Sequence, residues 1–227
     1  MEKFRVLEIK ASVFASNDKA ANDLRSELKE RGVFLLNVMS SPGSGKTTTL
    51  VNVINRLKDR LKIGVMEADI DSDVDAHTIV DKTGAKAIQL HTGGMCHLDA
   101  GMTRQGIEGL GIDNLDFVIL ENVGNLVCPA EFDTGATKNL EILSVPEGDD
   151  KPLKYPLMFK VADIVVINKI DTLGVFDFSL ELAKKRILER NPKAVIFPIS
   201  AKTGEGVQAL ADYLYKETEA LKGKKEQ

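Results

Sequence analysis

Ser40-Ser41-Pro42-Gly43-Ser44-Gly45-Lys46-Thr47 follows an apolar run rich in strand formers, Val33 to Met39 (VFLLNVM), and opens a stretch with helical spacing from about Lys46 to Leu61. Strand, glycine-rich loop and helix in that order are the context in which a phosphate-binding loop works. Small residues let backbone N–H groups turn inward towards phosphate oxygens, and the start of the helix adds partial positive charge. Lys46 is then placed to reach the β and γ phosphates and the Thr47 hydroxyl to ligate Mg²⁺. Gly43, Ser44, Gly45, Lys46, Thr47 and Thr48 are therefore the expected phosphate-binding residues. Ser40 stands where the usual pattern has its first glycine, and its Cβ narrows the backbone choices there.

Working outward, strand and helix signals alternate. Strands are expected at Ile63 to Glu67, Ala85 to Leu90, Phe117 to Glu121, Glu141 to Val145, Ile164 to Asn168 and Val195 to Ile199. Helices are expected near Ala76 to Lys82, Leu98 to Leu110, Ser179 to Arg190 and Val207 to Leu221. Runs such as FVILE and IVVIN lack polar alternation, as strands buried on both faces of a parallel sheet do. The fold class is thus α/β: a single doubly wound, mostly parallel sheet with helices on both faces. Residues 1–32 read as an N-terminal helical arm, in which Ser16-Asn17-Asp18 offers a cap that would split it into two helices. Residues 33–222 form the nucleotide-binding domain and 223–227 a polar tail. Val145 to Pro156 (VPEGDDKPLKYP) reads as a long, functional loop.

Composition narrows the function classes. The 227 residues are 43% hydrophobic and 28% charged, as in ordinary globular proteins. A net charge of -4 and a pI near 5.5 provide no basic surface for a nucleic-acid partner. No segment approaches the apolar length of a membrane span and none resembles a leader, so a cytoplasmic location is expected. Cys96 and Cys128 are the only cysteines, and in that compartment they are expected as free thiols or metal ligands.

Asn168-Lys169-Ile170-Asp171 ends the run ADIVVIN, at the carboxyl end of a strand, where such sheets bind ligands. Asp171 can accept from guanine N1–H and the 2-amino group together, Asn168 can address the N7/O6 edge, and the Lys169 stem can cover the ring. Adenine would leave Asp171 unpaired. Ser200-Ala201-Lys202, after the next strand, resembles the second base-contacting loop of GTPases, in which a backbone N–H meets guanine O6. GTP and GDP are therefore the expected nucleotides.

Glu67-Ala68-Asp69 ends the second strand, and Asp69, Asp71, Asp73 and Asp75 crowd the residues that follow. Asp69 is the first candidate for Mg²⁺. Glu121-Asn122-Val123-Gly124 after FVIL resembles a switch segment, with Glu121 holding Mg²⁺ through water and the Gly124 N–H meeting the γ-phosphate. Lys46, Asp69, Glu121 and Gly124 are thus the expected catalytic group. No glutamine is placed to orient water, so slow turnover, speeded by a dimer or partner, is expected.

Cys96-His97 in LHTGGMCHLDAG and Cys128 in NVGNLVCPAEFD offer thiolate and imidazole, the ligands Ni²⁺ and Zn²⁺ favour. A buried small cysteine and a hydrogen-bonded surface histidine are the plainer alternative. Cys128 lies just beyond the switch, so a metal there would feel the nucleotide state.

Together GSGKT, DVDAH, GMCHLDAG, ENVGNLVCPAEFD, EGDDKPLKYP, NKID and SAKTGEG resemble the hydrogenase nickel-insertion GTPases called HypB, SIMIBI-class proteins related to the urease nickel GTPase UreG. The resemblance runs over nearly the whole chain. It implies GTP hydrolysis, a GTP-dependent homodimer, and a metal site at the dimer interface carried by Cys96, His97 and Cys128. It also implies nickel delivery to a [NiFe]-hydrogenase large-subunit precursor with a HypA-type nickel chaperone. The N-terminal cysteine motif and histidine-rich stretch of some members are absent, and Cys128-Pro129 is followed by Ala130 where UreG has a histidine. A urease nickel GTPase, a regulatory GTPase with structural cysteines and a non-enzymatic metal carrier are the alternatives.

Overall fold

The computed structural model describes residues 2–69 and 74–223, with the backbone alone for residues 2–15 and Asp69. Its centre is β1 (Phe34–Ser40), buried along its whole length. Both of its edges are paired in parallel, one to β4 (Phe117–Glu121) and the other to β5 (Lys138–Ser144). Outside β4 lie β2 (Ile63–Asp69) and β3 (Lys86–His91), and outside β5 lie β6 (Ile164–Asn168) and β7 (Val195–Pro198). The order β3-β2-β4-β1-β5-β6-β7 makes every pairing parallel, so the sheet is wholly rather than mostly parallel.

Parallel neighbours need crossovers, and helices supply them. One face carries α2 (Lys46–Leu57), α3 (Val74–Thr83) and α9 (Val207–Gly223) over Phe34, Leu36 and Val38. The other face carries α1 (Glu2–Arg31) and α4 (Ala100–Leu110) over Leu35, Met66 and Val118. Further along that face, α7 (Pro156–Val161) and α8 (Leu180–Arg190) cover Leu143, Val165 and Ile167. Alternate β1 side chains thus enter opposite cores, as a period of two requires. Phe34 and its register partner Phe117 stack at 5.5 Å between centroids.

The arm is one helix, not two. Asn17, expected as an internal cap, instead reaches sideways: its Nδ2 donates to the Asp133 carbonyl and its Oδ1 accepts from Ala100 N–H, both at 2.9 Å. The stretch 145–156 is likewise more ordered than a loop. It forms a 3-10 turn at Val145–Glu147 and a short helix, α6 (Lys151–Lys154), before α7. A further short helix, α5 (Cys128–Glu131), carries Pro129 in its first turn, where a missing N–H costs nothing. Among the described residues no helix is long and apolar enough to cross a membrane.

Candidate functional site

The phosphate loop leaves the carboxyl end of β1, at the point where the chain's crossovers change direction. Ser40 is the last, fully buried residue of that strand, and its hydroxyl donates to the Ser41 carbonyl at 2.8 Å. Its φ is not positive, so the position demands no glycine and serine fits. Gly43 and Gly45 do need their freedom, with φ of 76° and 97°. A Cβ on Gly45 would stand 2.6 Å from Asn168 Nδ2.

The outer rim of the loop is held by side chains, which leaves its inner N–H groups for a ligand. Ser41 Oγ donates to Glu147 Oε1, and Glu147 Oε2 accepts from Ser144 N–H at 2.8 Å. Lys169 Nζ donates to the Gly43 carbonyl at 2.6 Å, and Asn168 Nδ2 to the Ser44 carbonyl at 2.9 Å. The cleft in front, of about 430 Å³, is lined by Gly43, Lys46, Thr47, Thr48, Glu121 and Gly124.

At the base end, Lys169 adopts φ 64°, the only positive φ at a non-glycine among the described residues. Asp171 Oδ1 accepts from Ser200 Oγ at 2.6 Å, which fixes the carboxylate and leaves its other oxygen available. Asn168 ties this end of the site to the phosphate loop. It is buried, and its Oδ1 accepts from both Lys169 N–H and Ala201 N–H while Nδ2 holds the phosphate loop. The Asn168 amide therefore joins three loops, and the Lys169 ammonium is turned to the phosphate loop. Lys202 follows Ala201 in the exposed turn.

Behind Lys46 stands a group of acids. Glu67, Asp75 and Glu121 bring one carboxylate oxygen each within 4.8 Å of the others. Glu67 and Glu121 are register partners on β2 and β4, so their side chains emerge side by side. Glu121 Oε1 lies 3.9 Å from Lys46 Nζ and 3.5 Å from Thr47 Oγ1. Burial, then the Glu121 charge and its hydrogen bond, push Glu67 up to about 11. Burial also raises Glu121. Glu67 Oε1, Glu121 Oε2 and both amide atoms of the adjoining Gln89 are buried without partners. This all-oxygen donor set of hydroxyl and carboxylates, with orphaned oxygens, fits a hard divalent cation. The expected ligand Asp69 ends β2, but its side chain, like Asp71 and Asp73, lies outside the described residues. In the sequence Glu67 ranks behind Asp69, which stands nearer the end of the strand segment Glu67-Ala68-Asp69. Its position two residues before a strand end, matched by Glu121 at the end of FVIL, was the available signal.

Cys96, His97 and Cys128 are brought together, with one potential ligand atom from each within 4.8 Å of the others. Cys96 Sγ is 3.8 Å from His97 Nδ1, and Asn125 Nδ2 lies 3.6 Å from Cys128 Sγ. The His97 ring stacks on Phe132 with centroids 3.8 Å apart and planes 12° apart, a partner the sequence did not point to. Burial lowers the His97 pKa, which favours the neutral imidazole a metal needs. The hydrogen bond to Cys96, then burial, raise the Cys128 thiol. The path from the phosphates to this cluster is short. Gly124 lies against Pro42 of the phosphate loop, where a Cβ would come within 3.1 Å, and Cys128 begins α5 immediately beyond.

The CobW/HypB/UreG nucleotide-binding domain family matches residues 34–198. The hydrogenase maturation factor HypB of Rhizobium leguminosarum bv. viciae is 45% identical over 94% of this chain and 71% of its own length. The chain belongs to the HypB family. Within that family, a crystal structure of HypB from Helicobacter pylori in complex with nickel superposes with a TM-score of 0.85. It is 41% identical and covers 90% of this chain and 96% of that one. HypB from Archaeoglobus fulgidus gives a TM-score of 0.83 at 36% identity, covering 90% and 99%. The matched family domain, residues 34–198, includes both the phosphate loop and the cysteine cluster described above.

Proposed function

We propose that this chain is a GTP-hydrolysing metallochaperone, in which nucleotide state and dimerisation control the holding and release of nickel during [NiFe]-hydrogenase maturation. The observation that carries the reading is the continuous segment from Glu121 to Cys128. It starts among the acids beside Lys46, touches the phosphate loop at Gly124 and ends on a thiol next to Cys96 and His97.

In this reading Asp171, braced by Ser200, selects guanine, with Ala201 and Lys202 supplying the loop around the base and Asn168 and Lys169 tying that loop to the phosphates. The inward N–H groups of Gly43 to Thr48 and the Lys46 ammonium hold the triphosphate. Thr47 and Glu121, with Glu67 and Asp75 adjoining, would hold Mg²⁺, which neutralises charge on the β and γ oxygens when bound. Asp69 belongs to the same end of β2. Water attacks the γ-phosphorus, GDP departs as the leaving group, and the Gly124 N–H loses its phosphate contact as inorganic phosphate leaves. That relaxation moves Cys128 relative to Cys96 and His97, which would carry Ni²⁺, or Zn²⁺ with the same ligands, as cargo.

A second copy of the chain, a HypA-type nickel chaperone and a hydrogenase large-subunit precursor are the proposed partners, in the cytoplasm, where thiols stay reduced. The test combines phosphate release from GTP with nickel titration. Lys46→Ala should abolish phosphate release, and Cys128→Ala should lose the nickel equivalent seen in wild type. Equal nickel stoichiometry in wild type and Cys128→Ala would leave a GTPase whose cysteines are structural.

A further inference from the structure

The two segments that bear Cys96–His97 and Cys128 come from different crossovers and touch each other directly where His97 stacks on Phe132. Both are gripped by α1. Asn17 joins them with one amide: its Oδ1 takes the N–H of Ala100, the first residue of α4, and its Nδ2 donates to the carbonyl of Asp133, both at 2.9 Å. Arg25, two helical turns further, grips the second segment. Its Nη2 meets both Asp133 carboxylate oxygens, at 2.6 and 2.7 Å, and its Nε donates to the Ala136 carbonyl at 2.8 Å. Two nitrogens of one planar guanidinium, one on the carboxylate and one on the carbonyl, fix orientation as well as distance.

The neighbours of these contacts lead directly to the ligands. Asp133 follows Phe132, the ring on which His97 is stacked. Leu98, next to His97, is buried in the same cluster as Leu24 and Leu28 of α1. Gly135 lies so close to the helix that a Cβ there would be 3.0 Å from the Ala21 carbonyl. Apolar packing and two polar side chains, Asn17 and Arg25, thus hold both segments against one helix.

We propose that α1 is the frame of the metal site, with Asn17 and Arg25 as positioning residues that keep the Cys96–His97 segment and the Cys128 segment at ligating distance. The inference rests on the reading of those three residues as a metal site. A site assembled from separate loops must order them when the metal binds, and prior fixation removes that cost.

The test is nickel titration of the whole GDP-bound chain, by calorimetry and by thiolate-to-nickel charge-transfer absorption, with GDP affinity measured alongside. Asn17→Ala and Arg25→Ala should each weaken nickel binding about tenfold, the low end of what orienting groups around a metal cost. GDP affinity should stay at the wild-type value. Arg25→Lys, which keeps charge but loses the fork, should fall between wild type and Arg25→Ala and covers the case in which Arg25→Ala does not fold. Arg31→Ala, on the same helix but paired with Glu27 and Asp113 away from these segments, should bind nickel as wild type does. Wild-type affinity in Asn17→Ala and Arg25→Ala, or equal weakening in Arg31→Ala, overturns the proposal while leaving the metal reading intact. Absence of nickel binding by wild type removes both.

Discussion

Gly45→Ala concentrates the strain of the phosphate loop in one atom. The residue sits at φ 97° and ψ 33°, and the new methyl would stand 2.6 Å from Asn168 Nδ2. The backbone term for a non-glycine residue in such a region is about 1–3 kcal/mol. Asn168 cannot yield freely, because it is 1% exposed and bonded to Ser44, Lys169 and Ala201. Displacing it leaves buried polar groups unpaired, which adds about 1–3 kcal/mol. Gly43→Ala separates the two effects, since φ there is 76° but no atom lies within 4 Å of the added Cβ. Urea denaturation of the nucleotide-free chain should show Gly45→Ala losing about 2–6 kcal/mol and Gly43→Ala only the backbone share. Fluorescent GDP titration should rank the two variants in the same order. Equal losses in both would refute the argument that Asn168 is a fixed buttress.

Three further outcomes follow from the same geometry. Asp171→Asn replaces a double acceptor with an amide, so nucleotide competition should move preference from guanine towards xanthine, and unchanged GTP preference would remove Asp171 from base selection. Glu67 has a folded pKa near 11 against 4.5 for its ordinary value, so the folded chain binds the extra proton between those limits and loses stability as pH rises through that window. Glu67→Gln should therefore raise the stability of the metal-free chain by about 1–3 kcal/mol at pH 8 and by little at pH 4.5, measured by urea denaturation at both. Glu147→Ala frees Ser41 from its carboxylate, so GDP affinity should fall about three- to tenfold, a typical net hydrogen bond's share, with an unchanged Kd arguing that the rim contact is idle.

The parts of the fold written in local chemistry were legible in the sequence. FVILE and IVVIN, apolar throughout and ended by polar residues, gave β4 and β6 to the residue, and the glycines at 43 and 45 stand where positive φ is needed. What escaped depends on partners distant in sequence. Asn17 reads as a local cap until Asp133 and Ala100 claim its amide, so the arm continues as one helix. The hold of Asn168 on the phosphate loop and on Ala201 depends on loops far away in sequence. Glu67 became part of the site only when β2 paired with β4, which no periodicity in VMEAD announces. Cys96, His97 and Cys128 were legible as residue types and as a family resemblance, whereas Phe132 behind the imidazole was not.

The central claim is that loss of the γ-phosphate is felt at the thiols. Nickel calorimetry on the whole chain, once with GDP and once with a non-hydrolysable GTP analogue in excess Mg²⁺, measures this directly. A coupling carried through residues 121–128 should separate the two dissociation constants by at least about fivefold. Identical constants in the two nucleotide states would contradict it.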